Sequence, residues 1–204
     1  MKFFKKEVTI SDDNYKLIVE YGDILKCDGK KVINFDECFT TKVGADTADI
    51  KPDSVCGQYL QRYPNPDIPH LIDRYKITSA RSKSLYQNKT RYESGTILPV
   101  DKFLLLAFAR LEKDGRGYMR YEEYVECLNK LWEEIDRYHG TDNVYLPILG
   151  SGVTRMDKDL TQQELLDIMI NSYKISPYRL SKPYELHIVC KKSDEFSLRN
   201  ISRE

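Results

Sequence analysis

The sequence predicts a three-layer α/β domain, with a mixed sheet of about six strands between helices. Three observations predict it. Apolar runs of strand length alternate along the chain with longer amphipathic stretches. One run, Phe103 through Phe108 within FLLLAFA, is apolar throughout, as a strand covered on both faces must be. The 204 residues, 41% hydrophobic and 31% charged, suffice for one core of moderate size.

The elements follow in order. Lys16 to Tyr21 reads as a strand ended by Gly22-Asp23, and Lys31 to Asn34 as a second short strand. Ser54 through Tyr63 and Asp67 through Tyr75 read as two helices parted by Pro64-Asn65-Pro66. Ser94 through Val100 and Phe103 through Phe108 form a strand pair. The clearest helix runs from about Tyr118 to Tyr138, where Tyr121, Tyr124, Val125, Leu128, Leu131, Trp132 and Ile135 draw one stripe. Val144 to Leu149 is an apolar strand entering Gly150-Ser151-Gly152. A helix starts at Thr161, where Thr161 and Glu164 form a capping box. Tyr184 through Cys190 supplies the last strand. Residues 1–192 are expected as a single domain and 193–204 as a charged tail that frays.

Composition excludes several functions. Lys plus Arg and Asp plus Glu both count 32, so the basic surplus of a nucleic-acid binder is missing. No apolar run approaches the ~20 residues needed to span a bilayer. The start, MKFFKKEVTI, lacks the apolar core of a secretory signal. Five dispersed cysteines without a CxxC pair suit a reducing cytoplasm. His70, His139 and His187 share no metal-ligand spacing. A soluble, cytoplasmic, metal-free protein is expected.

The segment most suggestive of chemistry is Pro147 to Arg155. A buried strand delivers a glycine-bracketed loop with a helix beyond, an arrangement whose inward amides suit a diphosphate. A tight turn without a ligand satisfies the same pattern. Arg155 adds a planar cationic fork. Asp23, after a strand and a glycine, either accepts from an exocyclic amine such as that of adenine or caps the next turn. Asn34 and Phe39 follow a strand end, where ligands of α/β sheets sit. Asp36 and Glu37, adjacent in an extended chain, point to opposite faces and do not converge as an acid/base pair.

Taken in order, GDI at Asp23-Ile24, VIN at Val32 to Asn34, GTI at Gly95 to Ile97, LLLAFAR at Leu104 to Arg110, LW at Leu131-Trp132 and PILGSGVTR at Pro147 to Arg155 resemble a macro domain, the ADP-ribose-binding α/β fold. The chain is most similar to the macro domains of Thoeris antiphage effectors, over about residues 8–190. The resemblance implies that Asp23 and the Ile24 amide recognise adenine. It implies that Gly150, Ser151, Gly152, Val153 and Thr154 cradle the diphosphate, and that Asn34 faces the distal ribose. Glu37, Phe39, Thr41, Ser54, Gly57 and Arg155 are expected around the distal end, with Glu37 pairing a ligand cation, Phe39 stacking and Arg155 meeting a carboxylate. The implied ligand is ADP-ribose or a cyclic or conjugated derivative, with no further cofactor. The implied partner is the TIR-domain enzyme that makes this signal, with self-association on binding. Hydrolytic macro domains carry an N-A-A-N stretch and a glycine run where this chain has Asn34-Phe35-Asp36-Glu37, which favours sensing. Removal of ADP-ribose from proteins or from derivatives is the alternative.

Overall fold

The computed structural model describes residues 7–193 and 196–201. Along the chain these form β1 (Glu7–Ser11), β2 (Lys16–Tyr21), a 3-10 turn (Ile24–Lys26), β3 (Lys30–Asp36), α1 (Val55–Arg62), α2 (Ile68–Tyr75), β4 (Ile97–Val100) and β5 (Phe103–Leu111). There follow β6 (Gly117–Met119), α3 (Tyr121–Tyr138), β7 (Val144–Pro147), β8 (Arg155–Met156), α4 (Gln162–Ile175), β9 (Leu186–Cys190) and a second 3-10 turn (Leu198–Asn200). The sheet order is β1-β2-β9-β7-β3-β5-β6-β8, with β4 beside β6 along the same edge of β5. The run from β2 to β5 is parallel, β1 is antiparallel to β2, and β4 and β6 are antiparallel to β5, while β6 and β8 run parallel.

The three-layer α/β class is what the structure adopts, but with nine strands among the described residues rather than about six. The extra strands have physical reasons. In β1, Val8 and Ile10 alternate with exposed Glu7, Thr9 and Ser11, a period-two signal hidden inside a charged N-terminal stretch. β6 and β8 have three and two residues, too few for any periodicity. β6 also takes Tyr118 out of the expected helix. That helix starts at Tyr121, where the Tyr121 amide donates to Asp157 Oδ1 at 2.8 Å.

β5 explains its own composition. Leu104, Leu106 and Phe108 point into one hydrophobic layer with α3 and α4, while Phe103, Leu105 and Ala107 point into the other with α1 and α2. Every second residue serves the opposite core, so no position in its centre is left for a polar side chain. Trp132 and Tyr173, both fully buried, pack edge to face at 5.1 Å between α3 and α4, and Trp132 Nε1 donates to Ser172 Oγ at 3.0 Å. The capping box at α4 forms as its sequence predicts: the Glu164 amide donates to Thr161 Oγ1 at 3.2 Å, and the Thr161 amide to Glu164 Oε2 at 2.8 Å.

The expected fraying of the tail is corrected for its described part. Phe196, Leu198 and Ile201 are buried against the α3/α4 layer, and Phe196 meets Tyr21 edge-on at 5.9 Å. Three apolar side chains spaced through a charged stretch suffice to dock it. The rest of 193–204 beyond Ser193 and 196–201 lies outside the described residues.

Candidate functional site

A cleft of about 860 Å³ runs across the carboxyl ends of β2, β9, β7, β3 and β5. Five neighbouring strands make four spacings, so it extends roughly 19 Å. Carboxyl ends of parallel strands are where open α/β sheets bind ligands.

One end is built by Gly22, Asp23, Ile24 and Leu25, which follow β2. Asp23 Oδ1 accepts the Leu25 amide at 3.1 Å and so caps the 3-10 turn. Its Oδ2 lies 3.3 Å from Lys26 Nζ, and 41% of the side chain remains exposed. Asp23 therefore caps the turn with one oxygen, while the other lies beside Lys26 on a side chain that is partly open to the cleft. The middle of the cleft is the segment 147–154 after β7, with Gly150, Ser151, Gly152, Val153 and Thr154 all in the lining. Gly150 has φ of +82°, which only glycine adopts without strain. Ser151 Oγ donates to Ile148 O at 2.7 Å and tightens the turn. A Cβ on Gly152 would meet no atom within 4 Å, so the backbone there is open to a ligand. The helix beyond this loop begins at its expected cap, Thr161; β8 and residues 157–160 lie between, and Gln162 in the first turn of α4 reaches the lining.

The far end is built by Asn34 and Asp36 from β3, by 47–51, by Asp53 to Cys56 at the start of α1, and by 115–117. Ser54 caps α1, accepting the Gly57 amide at 3.0 Å while its hydroxyl donates to Lys51 O at 2.7 Å. Asp36 is fully engaged: Oδ1 accepts the Cys38 amide at 2.8 Å and the Thr40 amide at 3.3 Å, and Oδ2 accepts the Thr40 hydroxyl. Burial nonetheless raises its carboxyl above the usual range, outweighing those bonds. Burial also pushes the Cys56 thiol well up and Cys38 to about 11, so neither supplies a thiolate nucleophile. Among the described residues no group of His, Cys, Asp and Glu side chains is placed to hold a metal ion.

Of the residues singled out from sequence, the cleft gathers Asp23, Ile24, Asn34, Ser54 and 150–154, and leaves out Glu37, Phe39, Thr41, Gly57 and Arg155. Glu37 is 1% exposed; Oε1 accepts Ser84 Oγ at 2.5 Å and the Leu111 amide at 3.1 Å, and Arg91 Nη1 lies 3.5 Å from Oε2. It is turned inward, opposite to Asp36, and has no ligand to meet. Phe39 is buried against Phe35 and Tyr92 rather than stacking on a ligand ring. Thr41 is exposed on the outer side. Gly57 permits α1 to approach the chain, since a Cβ would overlap Lys51 O. Arg155 enters β8 opposite Tyr118 and is exposed away from the lining. Sequence reading missed 47–51, Gly115-Arg116-Gly117 and Gln162. The long irregular stretch from 37 to 54 and the Asp114-Gly115 turn were the available signals.

Comparison with known proteins agrees with this geometry. Residues 17–191 match the family model described as Thoeris protein ThsA, Macro domain. The chain is 31% identical over 202 residues to the Thoeris protein ThsA of Bacillus amyloliquefaciens (strain Y2), covering 94% of this chain and 67% of that one. Among solved structures it is similar to a mutant Oceanobacillus iheyensis macrodomain with ADPR, at TM-score 0.57 and 10% identity over 93% of this chain and 92% of that one. It is similar also to the macrodomain of the same organism with ADP, at TM-score 0.55 and 10% identity over 93% and 90%. At such identity these two likenesses concern the fold alone.

Proposed function

This chain belongs to the macro-domain family of the Thoeris protein ThsA, and from that premise we propose that it senses an ADP-ribose-derived nucleotide in antiphage defence. The observation that carries the reading is the order of groups along the cleft. An outward carboxylate at Asp23, open amides at 150–154, and Asn34 with Asp36 succeed one another as base, diphosphate and distal ribose do in ADP-ribose. Asp23 would accept the adenine amine, and the Ile24 amide would meet the ring. The loop amides would hold the diphosphate. Asn34, Ser54 and residues 47–51 would face the distal ribose and whatever it carries. The signal would come from a TIR-domain enzyme in the same cytoplasm, with ligand-driven self-association as output.

Binding without turnover is favoured by Asp36. Its carboxyl lines the far end, yet both oxygens are tied to residues 38 and 40, which commits it to holding its own loop rather than to a water. Calorimetry with ADP-ribose, NAD and amino-acid-conjugated ADP-ribose tests the proposal, followed by chromatography of the recovered ligand. Binding with the ligand intact supports it. Steady release of free ADP-ribose from a conjugate, abolished by Asn34→Ala, supports the hydrolase instead.

A further inference from the structure

The far end of the cleft is closed by a contact that holding a base and a diphosphate does not require. Residues 42–50 double back on themselves: the Ile50 amide donates to Lys42 O at 2.9 Å and the Gly44 amide to Ile50 O at 3.1 Å. Lys42 Nζ lies 2.9 Å from Asp49 Oδ1, and the Asp46 amide donates to Asp49 Oδ2 at 3.2 Å. Gly44 leaves no room for a side chain, since a Cβ would overlap the Asp49 carboxylate. The tip of this loop rests on the turn 112–117. A Cβ on Gly115 would overlap Ala48 Cβ and come within 2.9 Å of Ala48 Cα and 3.0 Å of Tyr86 Cε2. Gly115 also has φ of +82°. Ala48 and Gly115 both line the cleft, so their contact forms part of the wall at its far end. Tyr86 backs it from a segment anchored through Ser84 to Glu37, and Glu37 in turn accepts the amide of Leu111 at the end of β5.

We infer that the Ala48–Gly115 contact makes this a blind end, so the domain accepts a free nucleotide whose distal ribose carries at most a small group. ADP-ribose attached to a polypeptide is refused. This rests on the ADP-ribose reading above. With the base at Asp23 and the diphosphate at 150–154, a chain extending from the distal ribose along the cleft runs into 47–51 and 115–117. Those segments touch so closely that not even a methyl group fits between them. Opening them means moving backbone held by an ion pair and three hydrogen bonds, and packed contacts of this kind do not deform continuously. Selection would therefore be by exclusion, which discriminates where shared base and diphosphate contacts cannot.

Three probes test this on the wild type, Ala48→Gly and Gly115→Ala: ADP, ADP-ribose, and a peptide mono-ADP-ribosylated at one residue. The wild type should bind ADP-ribose at least about tenfold more tightly than the peptide conjugate, a ratio within reach of steric exclusion. Ala48→Gly removes one methyl from the wall and should narrow that gap. Gly115→Ala drives the two loops apart and should weaken ADP-ribose more than ADP. Thermal melts report whether the variants fold, and Ala48→Gly, which introduces no clash, carries the test where Gly115→Ala does not. Equal wild-type affinity for ADP-ribose and the conjugate overturns the blind end, as does a gap unmoved in Ala48→Gly. If the wild type binds neither ADP nor ADP-ribose, the underlying ligand reading falls, and the blind end with it.

Discussion

Replacing Gly152 with valine adds side-chain atoms at a point where a Cβ meets no protein atom within 4 Å and where φ lies outside the left-handed range. Folding should barely register it. A substitution in an exposed loop without lost contacts changes stability by within about 0.5 kcal/mol, or about 2 °C in melting temperature for a domain of this size. Binding should register it strongly. The same open space is what a diphosphate would occupy, and a branched side chain there keeps phosphate oxygens from the amides of 151–153. Losing two hydrogen bonds to a charged group at roughly 1.5 kcal/mol each gives about 3 kcal/mol, or roughly 150-fold in affinity. Calorimetry with ADP and ADP-ribose reads the second quantity, and a thermal melt the first. A contrasting variant sharpens the result. Gly150→Ala forces alanine to φ of +82° and should cost about 1 kcal/mol of folding. A folded Gly152→Val with affinity within about twofold of wild type would refute the reasoning, because the loop would then be only a turn.

Asp23→Asn keeps the oxygen that accepts the Leu25 amide but turns the outward oxygen into a donor, so ADP-ribose should bind about tenfold more weakly. An analogue with hypoxanthine in place of adenine should lose much less, and equal losses would disprove the adenine role. Asp36→Asn tests the raised carboxyl. Because the folded-state pKa lies above the unfolded one, the folded protein takes up a proton first, and stability is lost as pH rises through the raised value. The melting temperature of the asparagine variant relative to wild type should therefore climb as pH rises above the ordinary aspartate range, and a flat difference would count against the burial effect. Glu37→Ala strands the Leu111 amide and the Ser84 hydroxyl in the interior and removes a partner of Arg91, and should destabilise by about 3 kcal/mol, near 10 °C, in a melt. The order of preference among ADP-ribose derivatives should stay as in wild type, since Glu37 lies behind the cleft wall.

How legible the site was depended on where each residue stands relative to the sheet. Asp23 and 150–154 come just after strands, and Asn34 near the end of one, whose apolar runs are plain in the sequence, so the strand end itself delivers them to the cleft. Glu37 and Phe39 lie beyond the end of β3, where the chain curls and period-two alternation no longer decides which side faces inward. Charge and aromaticity suggested ligand contacts, whereas the interior had use for both: an acceptor for two donors beside an arginine, and a ring between two others. Arg155 was misplaced for a different reason. It pairs with Tyr118 in a two-residue strand that depends on a partner 37 positions away, and no local pattern announces such a pairing. The wall at the far end was equally hidden, because Ala48 and Gly115 are small residues that become informative only once their segments meet.

β5 has a consequence for cooperativity. Its alternate side chains belong to opposite layers, and it hydrogen-bonds to β3 on one edge and to β4 and β6 on the other. Neither the α1/α2 side nor the α3/α4 side can lose order without exposing half of this strand. Its central amides should thus exchange with solvent only by opening of the whole molecule, and be the last to do so. Splitting the protein into complementing fragments would accordingly require leaving β5 whole on one fragment and cutting in loops such as 76–96. That fragment would still present a bare apolar face until its other half returned to cover it.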